Sequence, residues 1–244
     1  MQERSSKTVL ILGANSDVAK EMVKLYVSQG HKVVAASRST DQLEAFVKEN
    51  ETLQGNVEVK YFDAVAFDTH LEFYNVLSTK PSIVVYAAGF LVDNLKALKD
   101  WKGSYQMMNV HYAGAVSILN IITSDLDNKN LQQIIGLSSL SGVRGRKSNF
   151  IYGSTKAAFT TYLAGLRQHL SERNIRVNVI VAGYIRSKMT AGLDLTESLM
   201  LEPIFIAKAS VNAGRRFVTV PGWKWKIIYQ ILKRLPESLV AKLP

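Results

Sequence analysis

Six short apolar runs, each separated from the next by a stretch of helical period, constrain this chain more than any other feature. The runs are TVLILGA (8–14), KVVAAS (32–37), VEVKYFD (57–63), SIVVYAAG (82–89), QQIIGLSS (132–139) and RVNVIVAG (176–183). Between them, segments such as SDVAKEMVKLYVSQG and STKAAFTTYLAGLRQHLSERN bring apolar residues back every three or four positions, as amphipathic helices do. Strands apolar on both faces and alternating with helices imply a central parallel sheet covered on each side: a doubly wound α/β domain. In that plan ligands gather at the carboxyl ends of the strands.

The chain has 244 residues, 47% hydrophobic and 20% charged, and no Pro/Gly/Ser-rich linker divides it. This predicts one folded unit over 1–222, followed by a basic amphipathic segment over 223–244. The polar start MQERSSK runs straight into a strand pattern without an apolar signal core, so a cytoplasmic location is expected. The absence of cysteine excludes disulfides, thiolate metal sites and a cysteine nucleophile. Four scattered histidines give no metal-ligating pattern, and none is expected.

After the first strand, Gly13 supplies the permissive backbone for a sharp turn into a helix. A dinucleotide loop would carry two further glycines, where this chain has Asp17 and Ala19. Asn15, Ser16 and Asp17 suit a helix entry whose free N–H groups attract phosphate, although the Asp17 carboxylate opposes a negative ligand. At the end of the second strand stand Ser37 and Arg38 in place of the acidic residue that binds the ribose of NAD. A guanidinium there pairs with a 2′-phosphate, which favours NADP(H) over NAD(H).

The segment GLSSLSGVRGRKSNFIYGSTKAAFTTYLAGL carries the candidate chemistry. Tyr152 and Lys156 are four apart at the start of a predicted helix and so share one face. An ammonium beside a phenol favours the phenolate, lowering its pKa from about 10 toward working pH and suiting Tyr152 to proton transfer with a carbonyl oxygen. Ser139 closes a strand thirteen residues earlier, and Asn109 lies in MMNVHYAGAVSILN.

This order of residues resembles the short-chain dehydrogenase/reductase family over about residues 7 to 220. The resemblance implies a single-domain Rossmann fold, with Ser139 orienting the substrate carbonyl, Tyr152 as catalytic acid/base, Lys156 on the nicotinamide ribose and Asn109 holding a water in a proton relay. It places Gly13, Asn15, Ser16, Asp17 and Val18 on the cofactor loop. Ser37, Arg38 and Asp63 fall on the adenosine side, and Ala88, Gly89, Gly183, Ile185 and Ser187 around the nicotinamide. Family pairing through the helix after the tyrosine implies a homo-oligomer. The chain departs from the pattern at Tyr86 and Ala87, which replace two asparagines, and at AGYIRS (182–187), which replaces a Pro-Gly-x-x-x-Thr segment.

From Leu201 onward, Lys208, Arg215, Arg216, Lys224, Lys226, Lys233, Arg234 and Lys242 face only Glu202 and Glu237, within a chain of net charge +10. In PGWKWKIIYQILKRLPESLVAKLP a predicted helix from Trp223 sets an aliphatic stripe among lysines, a pattern for a membrane surface or for packing on protein. The stripe is too short and charged to span a bilayer, and its interleaved aliphatics argue against nucleic acid. GANSDVA, GVRGRKSNFIYGSTKAA, SKMTAGL and the Trp-Lys-Trp tail together resemble a bacterial branch similar to the reductase half of the polyprenylphosphoryl-ribose 2-epimerase system. That resemblance implies an NADPH-dependent reductase of a keto sugar, carried on a polyprenyl phosphate, in cell-envelope polysaccharide synthesis at the inner face of the membrane. Arg186 and Lys188, in a lid-like segment from Tyr184 to Pro203, are candidates to meet a substrate phosphate. The rival readings are a soluble reductase of small ketones or 3-oxoacyl thioesters, and a nucleotide-binding scaffold without turnover.

Overall fold

A computed structural model describes residues 6–242; residues 1–5 and the last two of the C-terminal segment lie outside the described residues. The strands are β1 (Thr8–Leu12), β2 (Lys32–Ser37), β3 (Val57–Tyr61), β4 (Ile83–Tyr86), β5 (Gln133–Ser139), β6 (Arg176–Ala182) and the two-residue β7 (Val218–Thr219). They form one parallel sheet in the order β3-β2-β1-β4-β5-β6-β7. The six apolar runs are thus the six long strands. The seventh carries only two residues, too few to register as a period in the sequence.

Alternation along each strand divides the core into two layers. Leu10, Leu12, Val34, Val84, Tyr86 and Ile134 enter one cluster, while Val9, Ile11, Val33, Ile83, Val85 and Ile135 enter the other. The second layer is covered by α1 (Asp17–Ser28), α2 (Thr40–Lys48) and, further along the chain, Ile206 and Ala207 of the helix Pro203–Val211. The first layer is covered by α3 (His70–Asn75) and by a long interrupted helix. Beyond the short α4 (Asn94–Lys99), that helix runs as α5 (Trp101–Met108), a π-helical turn over Asn109–Ala113, and α6 (Gly114–Ser124). The helix α7 (Phe150–His169) closes the same face, adding Phe159, Leu163 and Leu166.

The helix Pro203–Val211 is α8, followed by α9 (Trp223–Arg234) and α10 (Glu237–Val240). Helix α9 has two sides. Trp225 and Leu232 are buried in the first core layer, whereas Trp223, Ile227 and Ile231 are more than half exposed. Among the described residues no helix is long and apolar enough to cross a membrane.

Candidate active site

The register aligns the carboxyl ends of neighbouring strands: Leu12 lies beside Ala36 and Tyr86, and Ser139 beside Ala182. The loops leaving these ends carry the sequence candidates. Gly13 has φ +86, and a Cβ there would lie 2.4 Å from the Ala88 backbone nitrogen, so only glycine permits this approach of the first turn to the end of β4. Its N–H and that of Ala14 both donate to the Ala36 carbonyl. Ser16 caps α1 by accepting the Ala19 N–H at 3.2 Å. Asn15 Nδ2 donates to Ser37 Oγ at 3.0 Å and to the Ser39 carbonyl at 2.8 Å, joining the cofactor loop to the segment carrying exposed Arg38.

Asp63, on the next loop, accepts the Val65 N–H through Oδ1, and its carbonyl meets His70 Nε2 at 2.9 Å. Val18 lies in the core rather than on the loop surface, packing α1 against the sheet. The Asp17 carboxylate turns toward the segment after β6, where it accepts the Lys188 backbone N–H at 2.8 Å.

The proton-transfer candidates converge. Tyr152 and Lys156 stand on the first turns of α7, with Ser139 at the end of β5 against them. Ser139 faces the buried Tyr152 phenol closely enough to oppose its desolvation, and Ser139 Oγ accepts the Ser141 N–H at 3.2 Å. Lys156 Nζ donates to the Leu137 carbonyl at 3.1 Å and lies 5.8 Å from the centre of the Tyr152 ring. A methyl placed on Gly89 would come within 3.4 Å of Lys156 Nζ, so the end of β4 borders the same cleft. Asn109, partly buried, opens the π-helical turn.

The electrostatics differ from the sequence expectation. Desolvation pushes the Tyr152 phenol up to about 12, and the opposing influence is the nearby Ser139 side chain rather than the lysine. Burial lowers Lys156 to about 8. Loss of hydration outweighs charge attraction because the ammonium is held by a backbone carbonyl rather than by the phenol oxygen.

His111, which the sequence reading left among four scattered histidines, lies at the middle of this group. It is fully buried, two residues into the π-helical turn, and meets the Tyr152 ring edge-on at 5.3 Å and 89°. Its Nε2 accepts the Phe90 N–H at 3.1 Å, which leaves the proton on Nδ1 to donate to Thr155 Oγ1 at 2.7 Å. The Thr155 hydroxyl in turn donates to the Tyr152 carbonyl. Burial, then the nearby Lys156 charge, holds the imidazole well below its ordinary pKa and therefore neutral. Tyr86 adds a second tie by donating its hydroxyl to the Val110 carbonyl. Tyr86 and His111 thus anchor the end of β4 to the π-helical turn where the family pattern has asparagines on the strand.

In the segment after β6, Gly183 lies beneath Trp225, Ile185 bridges to Leu201, and Ser187 donates its N–H to Thr190 Oγ1. Arg186 is exposed and forms ion pairs with Glu197 and Glu202, which occupy the group proposed from sequence for a phosphate. Among the described residues no group of three His, Asp or Glu side chains could hold a metal ion.

Comparison with known proteins agrees with this architecture. The sequence profile of the short chain dehydrogenase family matches residues 7–198. The chain belongs to this family, and it is an oxidoreductase of that type. It is 26% identical over 246 residues to an uncharacterized oxidoreductase of Myxococcus xanthus, covering 98% of this chain and 96% of that protein. It is similar in fold to a short-chain dehydrogenase of Sphingobium yanoikuyae in complex with NADPH, with TM-score 0.82 and 20% identity over 98% and 96% of the two chains. A Burkholderia phymatum short-chain dehydrogenase/reductase in complex with NAD matches with TM-score 0.81 and 15% identity over 95% and 94%.

Proposed function

We propose that the protein is an NADPH-dependent carbonyl reductase acting on a keto sugar, carried on a polyprenyl phosphate, at a membrane surface. The observation that carries the reductive reading is the gathering of Tyr152 and Lys156 on one face of α7, with Lys156 Nζ 5.8 Å from the phenol ring, against Ser139 at the end of β5 and Gly89 at the end of β4, which suits Tyr152 to donate a proton there. A dinucleotide fits the residues present. Gly13 lets the first turn pack directly against the end of β4, the start of α1 offers N–H groups, and Asn15 Oδ1 is buried without a protein partner in the turn that bonds Ser37. Exposed Arg38 suits a 2′-phosphate, and solved relatives carry NADP(H) as well as NAD.

When bound, the nicotinamide supplies the hydride that reduces the ketone carbon. Ser139 orients the carbonyl oxygen by hydrogen bonding, and Tyr152 gives that oxygen its proton. Lys156 would hold the nicotinamide ribose, and Asn109 would hold a water that returns a proton to the phenol. His111 keeps Tyr152 in register with Gly89. The keto-sugar and lipid parts of the reading rest on the branch resemblance and on the exposed basic and apolar side of α9.

The test compares NADPH oxidation by wild type and Tyr152→Phe with a polyprenylphosphoryl keto sugar, the water-soluble keto sugar and an acetoacetyl thioester. The expected result is turnover of the lipid-linked ketone, reduced at least a hundredfold in the variant. Equal rates in the two proteins would remove the role of Tyr152. Preference for the thioester would replace the substrate class.

A further inference from the structure

Two sides of α9 meet two different environments. On the inner side, Trp225 is 5% exposed and fills the space over Gly183, where any Cβ would lie about 2.1 Å from the indole. The indole meets Tyr184 edge-on at 5.0 Å and donates its N–H to the Leu199 carbonyl at 2.8 Å. The neighbouring Lys224 Nζ donates to the Ser198 carbonyl at 2.9 Å. The Leu201 N–H donates to the Tyr184 carbonyl and the Arg186 N–H to the Leu201 carbonyl, so Leu201 is bridged to 184–186 and closes the loop between them, just after a 3-10 turn over Glu197–Leu199. Consecutive residues at the start of α9 therefore hold the 3-10 turn that precedes Leu201, and Trp225 also packs on Tyr184 at the other end of the loop.

On the outer side Trp223, Ile227 and Ile231 are exposed among Lys226, Lys233 and Arg234, and helix α9 contains no acidic residue. An open groove lined by Lys226, Ile227, Ile231, Arg234 and Leu235 runs along it. Cations bordering exposed aliphatics and an exposed tryptophan complement an anionic lipid surface: the aliphatics enter the acyl boundary and the ammonium groups meet the phosphates.

We infer that α9 couples an anionic lipid surface to the substrate-side loop, with Trp225 as the positioning residue that transmits the contact. The inference rests on the membrane-surface reading above and adds a mechanism to it. A surface that orders α9 fixes the indole and Lys224, and these fix the closing end of the loop 184–201. The site then closes where a lipid-linked substrate resides. Trp225 touches no reacting atom; it acts through Leu199 and Tyr184.

Hydrogen exchange of the full-length protein reads both sides at once, without any substrate. Phosphatidylglycerol vesicles are expected to slow exchange in 223–234 and, by roughly three- to tenfold, in 184–201; phosphatidylcholine vesicles are expected to slow neither. In Trp225→Phe, which keeps an aromatic ring but loses the bond to Leu199, α9 remains protected while the loop no longer responds. In Ile227→Asp/Ile231→Asp, which removes the aliphatics and opposes the anionic surface, neither segment responds. Protection of α9 in wild type with an unchanged loop overturns the coupling alone, and no protection of α9 overturns it together with the membrane reading. A loop that responds fully in Trp225→Phe removes the indole from the path.

Discussion

The Asp17 carboxylate accepts the backbone N–H of Lys188 at 2.8 Å, across 171 residues of sequence. A side chain that stands where a dinucleotide loop would have glycine thus ties the start of α1 to the loop following β6. The carboxylate faces two opposed demands: it repels a pyrophosphate and it anchors the loop. Asp17→Asn keeps an acceptor and removes the charge, so NADPH should bind about fivefold more tightly with loop exchange unchanged. Asp17→Ser should show the same gain in affinity but faster exchange at Lys188. Weaker NADPH binding in both variants would show that the carboxylate does not oppose the cofactor.

Lys156 supplies a pH-dependent test of burial. Its folded pKa is about 8 against an ordinary 10.5, so between these values the unfolded chain holds a proton that the folded protein does not. Its burial cost is therefore present below pH 8 and is relieved as pH rises toward 10.5. Relative to Lys156→Met, wild type should gain about 2 kcal/mol between pH 7.5 and 9.5 in denaturant unfolding. Parallel curves for the two proteins would mean that the ammonium is not desolvated in the fold.

Replacing His111 separates positioning from proton transfer. His111→Phe retains an aromatic edge toward Tyr152 but loses the bonds to Phe90 and Thr155, and kcat/KM should fall at least tenfold. His111→Asn can restore one of the two bonds and should recover part of the loss. Because the imidazole lies well below its ordinary pKa, the wild-type rate should show no step between pH 5.5 and 7.5 that vanishes in His111→Asn. Full activity in the Phe variant, or such a step, would contradict a neutral positioning role.

Arg38 decides cofactor choice if its guanidinium pairs with a 2′-phosphate. Arg38→Ala should weaken NADPH by roughly 10- to 100-fold, the worth of a hydrogen bond to a charged group, and change NADH by less than about twofold. Calorimetric titration with both nucleotides measures this. An equal loss for both would place Arg38 outside the phosphate site.

What the sequence determined by itself was local or periodic. The apolar runs determined the strands because the inner ones are buried on both faces while the edge strand β3, only partly buried, alternates, and Tyr152 and Lys156 share a helix face because one turn spans 3.6 residues. The Ser139-to-Tyr152 spacing was legible because β5 and α7 are joined by a short connection. Tertiary structure alone decided the contacts that cross long separations. His111 reads as an ordinary histidine until the π-helical turn aims it at Phe90 and Thr155, and Trp225 reads as part of an amphipathic stripe until Gly183 admits it. The protonation of Tyr152 is decided in the same way, because a pKa follows how much water the folded surroundings remove, and no spacing of residues along the chain states that.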